Sequence, residues 1–265
     1  MTMSSAVSIS PNRNISEMTA LVRQLVARLG CVGFKIETES EGASPHEILL
    51  LQHVVEPFAP LAVKIGGCNA RTDMTMARTF GLHHLIAPMI ESAYAVENFR
   101  EAVDAIYGTR EPVYLTINVE SIAACSRLDE ILGAAVHHGI QQVTIGRSDL
   151  SHSMGAAVSD LAVRRLVEEV SEKAKARGLV VAVGGTVTPE DAAQLARILG
   201  SIDKIETRNV VFSTRKPRYL RAAISAAIDF EIRHLKQRQE MAAQHLNELT
   251  RRLDCLRERR GRGAR

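Results

Sequence analysis

Ile117-Asn118-Val119-Glu120-Ser121 and, one helix-length later, Thr144-Ile145-Gly146-Arg147-Ser148-Asp149-Leu150 are two short apolar runs that each close on an acid. Runs of this length, separated by an amphipathic stretch, predict parallel strands joined by a crossover helix. That arrangement brings Glu120 and Asp149 to the same end of a sheet. Two carboxylates on adjacent strand ends suit a hard divalent cation, Mg²⁺ or Mn²⁺.

The alternation extends outward in both directions. Residues 15–29 read as an amphipathic helix closed by Gly30. Strands are predicted at Val32–Glu37, Leu61–Ile65, His84–Pro88, Val113–Val119, Gln142–Ile145, Leu179–Val183 and Ile202–Glu206. Helices are predicted between them, at Pro45–Val55, Ala70–Phe80, Ala93–Tyr107, Arg127–His137, Ser159–Arg177 and Pro189–Leu199. Such alternation demands parallel strands with right-handed crossovers. An open doubly wound sheet and a closed barrel both satisfy it. No G-x-G-x-x-G follows the first strand, which disfavours a dinucleotide fold, and 265 residues suit a (β/α)8 TIM barrel of about 250. The eighth strand has two candidates, Ala6–Ile9 and Val210–Phe212.

Strand parity points the same way. Side chains alternate faces along a strand, so Phe34 and Ile36 oppose Lys35 and Glu37, Val63 and Ile65 oppose Lys64, and Ile117 and Val119 oppose Asn118 and Glu120. The face under helices must be apolar, so the charged face is expected to point into the barrel. Interior charge at strand C-termini is where a barrel keeps its active site. Lys35 with Glu37, and Glu206 with Arg208, could alternatively form internal ion pairs.

Composition narrows the classes. The chain is 46% hydrophobic and 24% charged, ordinary for a globular protein with a large core. It has no Trp and only 4% aromatics, so Val, Ile, Leu and Ala must fill that core. No apolar run approaches the roughly 20 residues needed to cross a bilayer, and Met1 to Asn14 lacks a signal-peptide pattern. Cys31, Cys68, Cys125 and Cys255 have no paired spacing, so neither disulfides nor zinc are expected and a reducing cytoplasm fits. From Arg215 onward 14 Lys and Arg face 6 Asp and Glu, against 19 and 24 before it. The basic charge is confined to the tail, so nucleic acid is not the expected partner.

After Pro217, Ile228, Ile232, Leu235, Gln239, Ala242, Leu246, Leu249, Leu253 and Leu256 recur at steps of four and three. That is a heptad seam on a long projecting C-terminal helix from about Tyr219 to Arg259, expected to join a homo-oligomer. Its first part, with Ala226, Ile228 and Phe230, is read as the last barrel helix. The expected organisation is a flexible N-terminus over 1–14, a catalytic barrel over 15–230, the amphipathic helix over 231–259 and a basic disordered tail over 260–265.

Several motifs then fall at the ends of successive strands. They are Lys35-Ile36-Glu37-Thr38-Glu39-Ser40-Glu41-Gly42, Val63-Lys64-Ile65-Gly66-Gly67-Cys68-Asn69-Ala70-Arg71, Ala87-Pro88-Met89-Ile90-Glu91-Ser92, the two opening segments, Gly184-Gly185-Thr186-Val187-Thr188-Pro189 and Glu206-Thr207-Arg208. In this order, over residues 30–213, the chain resembles the HpcH/HpaI aldolase and citrate lyase β-subunit family of phosphoenolpyruvate/pyruvate-binding barrels.

The resemblance implies a carbon–carbon lyase, or the reverse condensation, acting on a small 2-oxo acid such as pyruvate, phosphoenolpyruvate or oxaloacetate. It implies Mg²⁺ or Mn²⁺ on Glu120 and Asp149, stabilising an enolate. The backbone around Arg147, Ser148 and Asp149 would receive the substrate carboxylate, and Lys64 would offset enolate charge. Lys64, Glu37 and Glu39 are the catalytic candidates. Arg147, Ser148, Gly66, Gly67 and Glu91 are the substrate-binding candidates. The glycine pairs Gly66-Gly67 and Gly184-Gly185 either admit an anion or only make turns, and Glu91 either binds substrate or holds a loop. A CoA-thioester lyase or thioesterase and a noncatalytic barrel serving assembly are the competing readings.

The chain departs from the family pattern at three places. Lys64 stands where the aldolases usually have Arg, which replaces a bidentate fork with a point charge. A Schiff base at Lys64 is an alternative role. Arg147 stands where Pro is common. No His lies near Gly42, where the aldolases place a base; His46 is four residues on, and Glu39, Glu41 and His152 are the possible replacements. His83, His84, His137 and His138 are read as surface residues.

Overall fold

In the computed structural model the described residues are 13–198, 200–215 and 219–262. The candidate strand Ala6–Ile9 and the last three residues of the basic tail fall outside them. Helix α1 (Arg13–Leu29) places Met18, Val22 and Leu25 on one buried stripe, at helical spacing. Gly30, at φ 77°, turns the chain out of the helix and into the first strand.

Eight strands close into a barrel in chain order: β1 (Cys31–Glu37), β2 (Leu61–Lys64), β3 (His84–Ala87), β4 (Tyr114–Val119), β5 (Gln142–Gly146), β6 (Val180–Gly184), β7 (Lys204–Glu206) and β8 (Val210–Ser213). Helices α2 (Pro45–Val55), α3 (Arg71–Thr79) and α4 (Ala93–Tyr107) follow the first three strands. The short α5 (Ile122–Ser126) precedes α6 (Leu128–His137) after β4. The short α7 (Arg147–Ser153) precedes α8 (Leu161–Ala176) after β5, and α9 (Ala192–Ile198) follows β6. Ser44 starts α2 with a capping box, exchanging hydrogen bonds with Glu47 around Pro45 at the first helical position. The expected barrel is present, with each of the seven predicted strands within two residues of its observed bounds.

One feature departs from strict (β/α)8 order. β1 to β7 pair in parallel, but β8 runs antiparallel to both β7 and β1. Only Thr207-Arg208-Asn209 separate β7 from β8. A parallel return needs a crossover of a dozen or more residues, so three residues can make only a hairpin. Val210–Phe212 was therefore the right candidate for closure, with the direction reversed. The reversal carries the 207–209 turn to the mouth where β1 to β7 end.

Helix α10 (Leu220–Arg262) then runs for 43 residues, about 65 Å at the standard rise. Leu220, Ala223, Ile224, Ala227, Phe230 and His234 bury one face against the barrel and α1. Phe230 meets Phe34 at 5.3 Å between ring centroids. Truncating Phe230 to Ala is expected to cost roughly 3–5 kcal/mol. Arg233 pairs with Glu17, and Arg238 pairs with Glu47 at 2.7 Å. Beyond Arg238 the helix leaves the barrel, and Leu246, Leu249, Leu253 and Leu256 are exposed. Among the described residues no helix is long and apolar enough to cross a membrane.

Candidate functional site

The parity expected from sequence holds at the mouth where the parallel strands end. Phe34, Val63, Ile117 and Val119 are buried under the helices. Lys35, Glu37, Lys64, Asn118 and Glu120 line a cavity of about 490 Å³ at the barrel mouth. Ser148, Asp149, Gly184, Gly185 and Arg208 complete its rim, and Glu231 reaches it from α10.

Glu120, directly after β4, is 3% exposed. Its Oε1 accepts from the Met89 amide at 2.9 Å and its Oε2 from Asn118 Nδ2 at 3.1 Å. Met89 is in the left-handed region, at φ 51°, where a non-glycine residue is strained. A Cβ on Gly146, at the end of the next strand, would sit 2.9 Å from Glu120 Cβ and overlap Oε2. Glycine there leaves the volume that the carboxylate fills. Burial, with Asp149 adding to it, holds the Glu120 carboxyl above the usual carboxylate range, although Lys64 opposes both.

Lys64 Nζ lies 3.1 Å from Glu37 Oε1. Burial alone would lower its pKa, but Glu120, Glu37 and Asp149 together raise it above the ordinary lysine value. A Schiff-base lysine needs the opposite shift. Lys64 is a fixed cation facing three acids.

Asp149 sits in the first turn of α7, exposed on the same cavity. Ser148 Oγ meets Thr186 Oγ1 at 2.6 Å. A Cβ on Gly185 would come 2.5 Å from the Ser148 amide nitrogen and 2.8 Å from that of Arg147. Only glycine fits against this turn, and at φ 84° only glycine adopts the backbone without strain.

The other candidates lie outside the cavity lining. Arg147 is 4% exposed and turns away from it, donating to the carbonyls of Gly184 at 3.2 Å, Gly185 at 2.9 Å and Thr186 at 3.4 Å, with Asp191 at 3.7 Å. It clamps the start of α7 to the loop after β6. Gly66 donates its amide to Asp73 Oδ2 at 2.8 Å, and Glu39 rests on Gly66 with no room for a Cβ between them. Gly67 belongs to the same turn. Glu91 accepts from Ser121 Oγ and so holds the residue after Glu120.

The charges also pair differently from either ion pair read in sequence. Lys35 Nζ reaches Glu206 Oε2 at 2.7 Å, Glu37 takes Lys64, and Arg208 takes Glu41 at 3.4 Å. Residues two apart share a strand face, but Glu37 pairs with its register partner on the neighbouring β2, Lys35 reaches past β8 to β7, and Glu41 and Arg208 meet between loops. Glu206 also accepts from Gln142 Nε2 and Thr144 Oγ1, each at 3.2 Å, inside the barrel. Lys35 outweighs the burial that would raise the Glu206 carboxyl, and holds it low.

Asn118 and Glu231 are cavity residues that motif reading passed over as functional groups, whereas Glu41, one of the possible replacements for the missing histidine, does line the cavity. Asn118 shares the face of Glu120, two residues away, and its Oδ1 is buried without a hydrogen-bond partner. Glu231 Oε1 accepts from Thr207 Oγ1 at 2.6 Å and from the Asn209 amide at 2.8 Å, so it fixes the β7–β8 turn. His84 also departs from its surface reading. It lines a second cavity, of about 400 Å³ at the opposite mouth, with Tyr114, Gln142 and Lys204. Its Nε2 meets Thr116 Oγ1 at 3.0 Å.

A divalent metal is compatible with Glu120 and Asp149. Mg²⁺ is commonly held by one or two carboxylates with water and substrate oxygens completing its shell. Glu120 is buried beside Asn118, whose Oδ1 has no hydrogen-bond partner, and Glu37, Glu120 and Asp149 share Lys64, so the donor set is oxygen-rich and net acidic. Among the described residues no group of three or more His, Cys, Asp or Glu converges on a common point, so such an ion would depend on ligand oxygens.

The sequence matches the family model described as HpcH/HpaI aldolase/citrate lyase over residues 64–200, just over half of the chain. No curated protein matches it significantly. The fold is similar to that of the HpcH/HpaI aldolase from Desulfitobacterium hafniense DCB-2, with TM-score 0.59 and 19% identity, covering 71% of this chain and 81% of that one. It is similar to an HpcH/HpaI aldolase/citrate lyase family protein from Burkholderia cenocepacia J2315, with TM-score 0.60 and 16% identity, covering 82% and 90%. It is also similar to the citrate synthase SbnG, with TM-score 0.57 and 16% identity, covering 84% and 90%. At these identities the structural likeness is one of fold.

Proposed function

The chain belongs to the HpcH/HpaI aldolase/citrate lyase family, and on that premise we propose that it breaks or forms a carbon–carbon bond beside the carbonyl of a small 2-oxo acid, through an enolate. The observation that carries the reading is that Glu120, Asp149 and Lys64 line one cavity at the C-terminal mouth of the barrel.

In this reading Glu120 and Asp149 hold Mg²⁺ or Mn²⁺. When bound, the ion supplies a Lewis acid for the enolate oxygen. Lys64 contributes a permanent positive charge, preorganised by its bond to Glu37, against the negative charge that develops on the substrate. The amides at the start of α7 face the substrate carboxylate across Gly185. Arg147 serves the site indirectly, by fixing the loop that carries Gly184 and Gly185. The partner of the exposed apolar edge of α10 is a second copy of the chain.

Titration of Mn²⁺ with and without oxalate, a mimic of the enolate, tests the reading. Oxalate should bind the wild type only with metal, and the Glu120→Ala and Asp149→Ala variants should lose that binding. Absence of metal-dependent oxalate binding in the wild type would sink it.

A further inference from the structure

Five carboxylates line the cavity among the described residues: Glu37, Glu41, Glu120, Asp149 and Glu231. Glu37 is engaged by Lys64. Glu120 and Asp149 are the candidate metal pair. Glu231 is engaged by Thr207 and Asn209. The Glu41 carboxylate is paired with the exposed side chain of Arg208. Its contact with Arg208 Nη1 is 3.4 Å long, and the Arg208 side chain is 60% exposed while that of Glu41 is 6% exposed. Among the described residues no histidine lines the cavity.

The backbone beneath Glu41 is nonetheless held firmly. Arg238 of α10 donates to the Glu41 carbonyl at 2.7 Å while pairing with Glu47. Gly42, at φ 58°, makes the sharp turn that follows. The fold anchors residue 41 by its main chain and leaves its carboxylate within the cavity.

We infer that Glu41 is the proton-transfer residue of this site. The inference rests on the enolate reading above. The Glu41 carboxylate removes a proton from the carbon beside the carbonyl of the 2-oxo acid. The C–H electron pair becomes the C=C bond, and the carbonyl π pair moves onto oxygen as the enolate forms. Return of the proton from Glu41 to carbon restores the keto acid and the free carboxylate. Its environment suits the task. Burial raises the Glu41 carboxyl above the usual carboxylate range; Arg208 opposes this, Glu37 adds to it, and Arg238 and Lys35 oppose it more weakly. A base that titrates nearer neutrality transfers protons more effectively in both directions.

The test uses pyruvate in deuterated water with Mg²⁺, following loss of the methyl proton signal by NMR. Wild type should exchange the methyl protons. Glu41→Gln should slow exchange by about 100-fold or more and leave Mn²⁺-dependent oxalate binding unchanged. The wild-type rate should fall in acid with a limb above the usual carboxylate range. Arg208→Met, which removes the main opposing charge, should move that limb to higher pH. Wild-type exchange rates in Glu41→Gln, joint loss of exchange and oxalate binding in that variant, or an unmoved limb in Arg208→Met overturns the role of Glu41. Oxalate binding without exchange in the wild type also overturns it and leaves the metal–enolate reading standing. Failure of oxalate to bind the wild type removes that reading itself.

Discussion

Gly146 and Glu120 share one volume: the end of β5 has no side chain where the carboxylate after β4 lies, and a Cβ at 146 would overlap Glu120 Oε2. The carboxylate is otherwise held by the Met89 amide and Asn118, so displacing it breaks two hydrogen bonds at once. Gly146→Ala is expected to weaken Mn²⁺-dependent oxalate binding by about tenfold or more, the usual size of such supporting effects. Isothermal titration reads this directly, and unchanged affinity would show that Glu120 is not held by this fit.

The interior of the barrel makes a separate prediction. Lys35 and Glu206 pair at 2.7 Å with 18% and 2% exposure. Removing the lysine strands a buried carboxylate, which typically costs about 3–5 kcal/mol. Lys35→Met should therefore lower the urea midpoint strongly at neutral pH. Glu206 has its carboxyl held low in the fold, because Lys35 outweighs burial. Its stabilising contribution is full above the ordinary carboxylate range and is lost as pH falls through the depressed folded value. The gap between wild type and Lys35→Met should then narrow in acid. A gap that does not change with pH would assign the loss to packing alone.

These two pairs mark what the sequence could disclose. Glu120 and Asn118 were readable because strand parity puts residues two apart on one face, and that face was the charged one. The partners of the charges were not readable, since parity says nothing about which other strand supplies the partner of Lys35. The direction of β8 was hidden for a related reason: alternation is the same in either direction, and only the three-residue gap at 207–209 rules out a crossover. Arg147 followed the motif into a substrate role, whereas the path of the loop after β6 decides that it clamps carbonyls. Glu231 and Arg238 reach the site from a helix nearly two hundred residues beyond β1, with no local signal to announce them.

His84 gives a pH prediction at the opposite mouth. Burial first, and the nearby Lys204 second, lower its pKa from 6.5 to about 4, with Glu206 opposing. The unfolded chain therefore binds a proton that the folded one refuses between those values. Stability attributed to His84 is full above 6.5 and is lost as pH falls toward about 4. Its ring resonances should stay constant on crossing 6.5 and move only near the lower value. Titration near 6.5 would mean that the second cavity is open to water around the ring.

The last prediction concerns α10, whose two faces have different fates. Ile224, Phe230, His234 and Gln237 are buried against the body, while Ile232, Leu235, Leu246, Leu249, Leu253 and Leu256 form an exposed apolar edge at heptad steps. Such a seam is stabilised by a second helix carrying the same repeat, so the expected partner is another copy. Truncation must respect the anchored part. Ending the chain after Ile228 would remove Phe230, Glu231 and Arg238, and with them the turn at 207–209 and the support under Glu41. Ending it after Met241 keeps those contacts and removes the four outer leucines. Light scattering should then report a smaller assembly for the 241-residue chain with an unchanged thermal midpoint of the barrel at matched concentration. An unchanged mass would remove the outer helix from assembly, and a lowered midpoint would mean that the edge packs on the chain's own barrel.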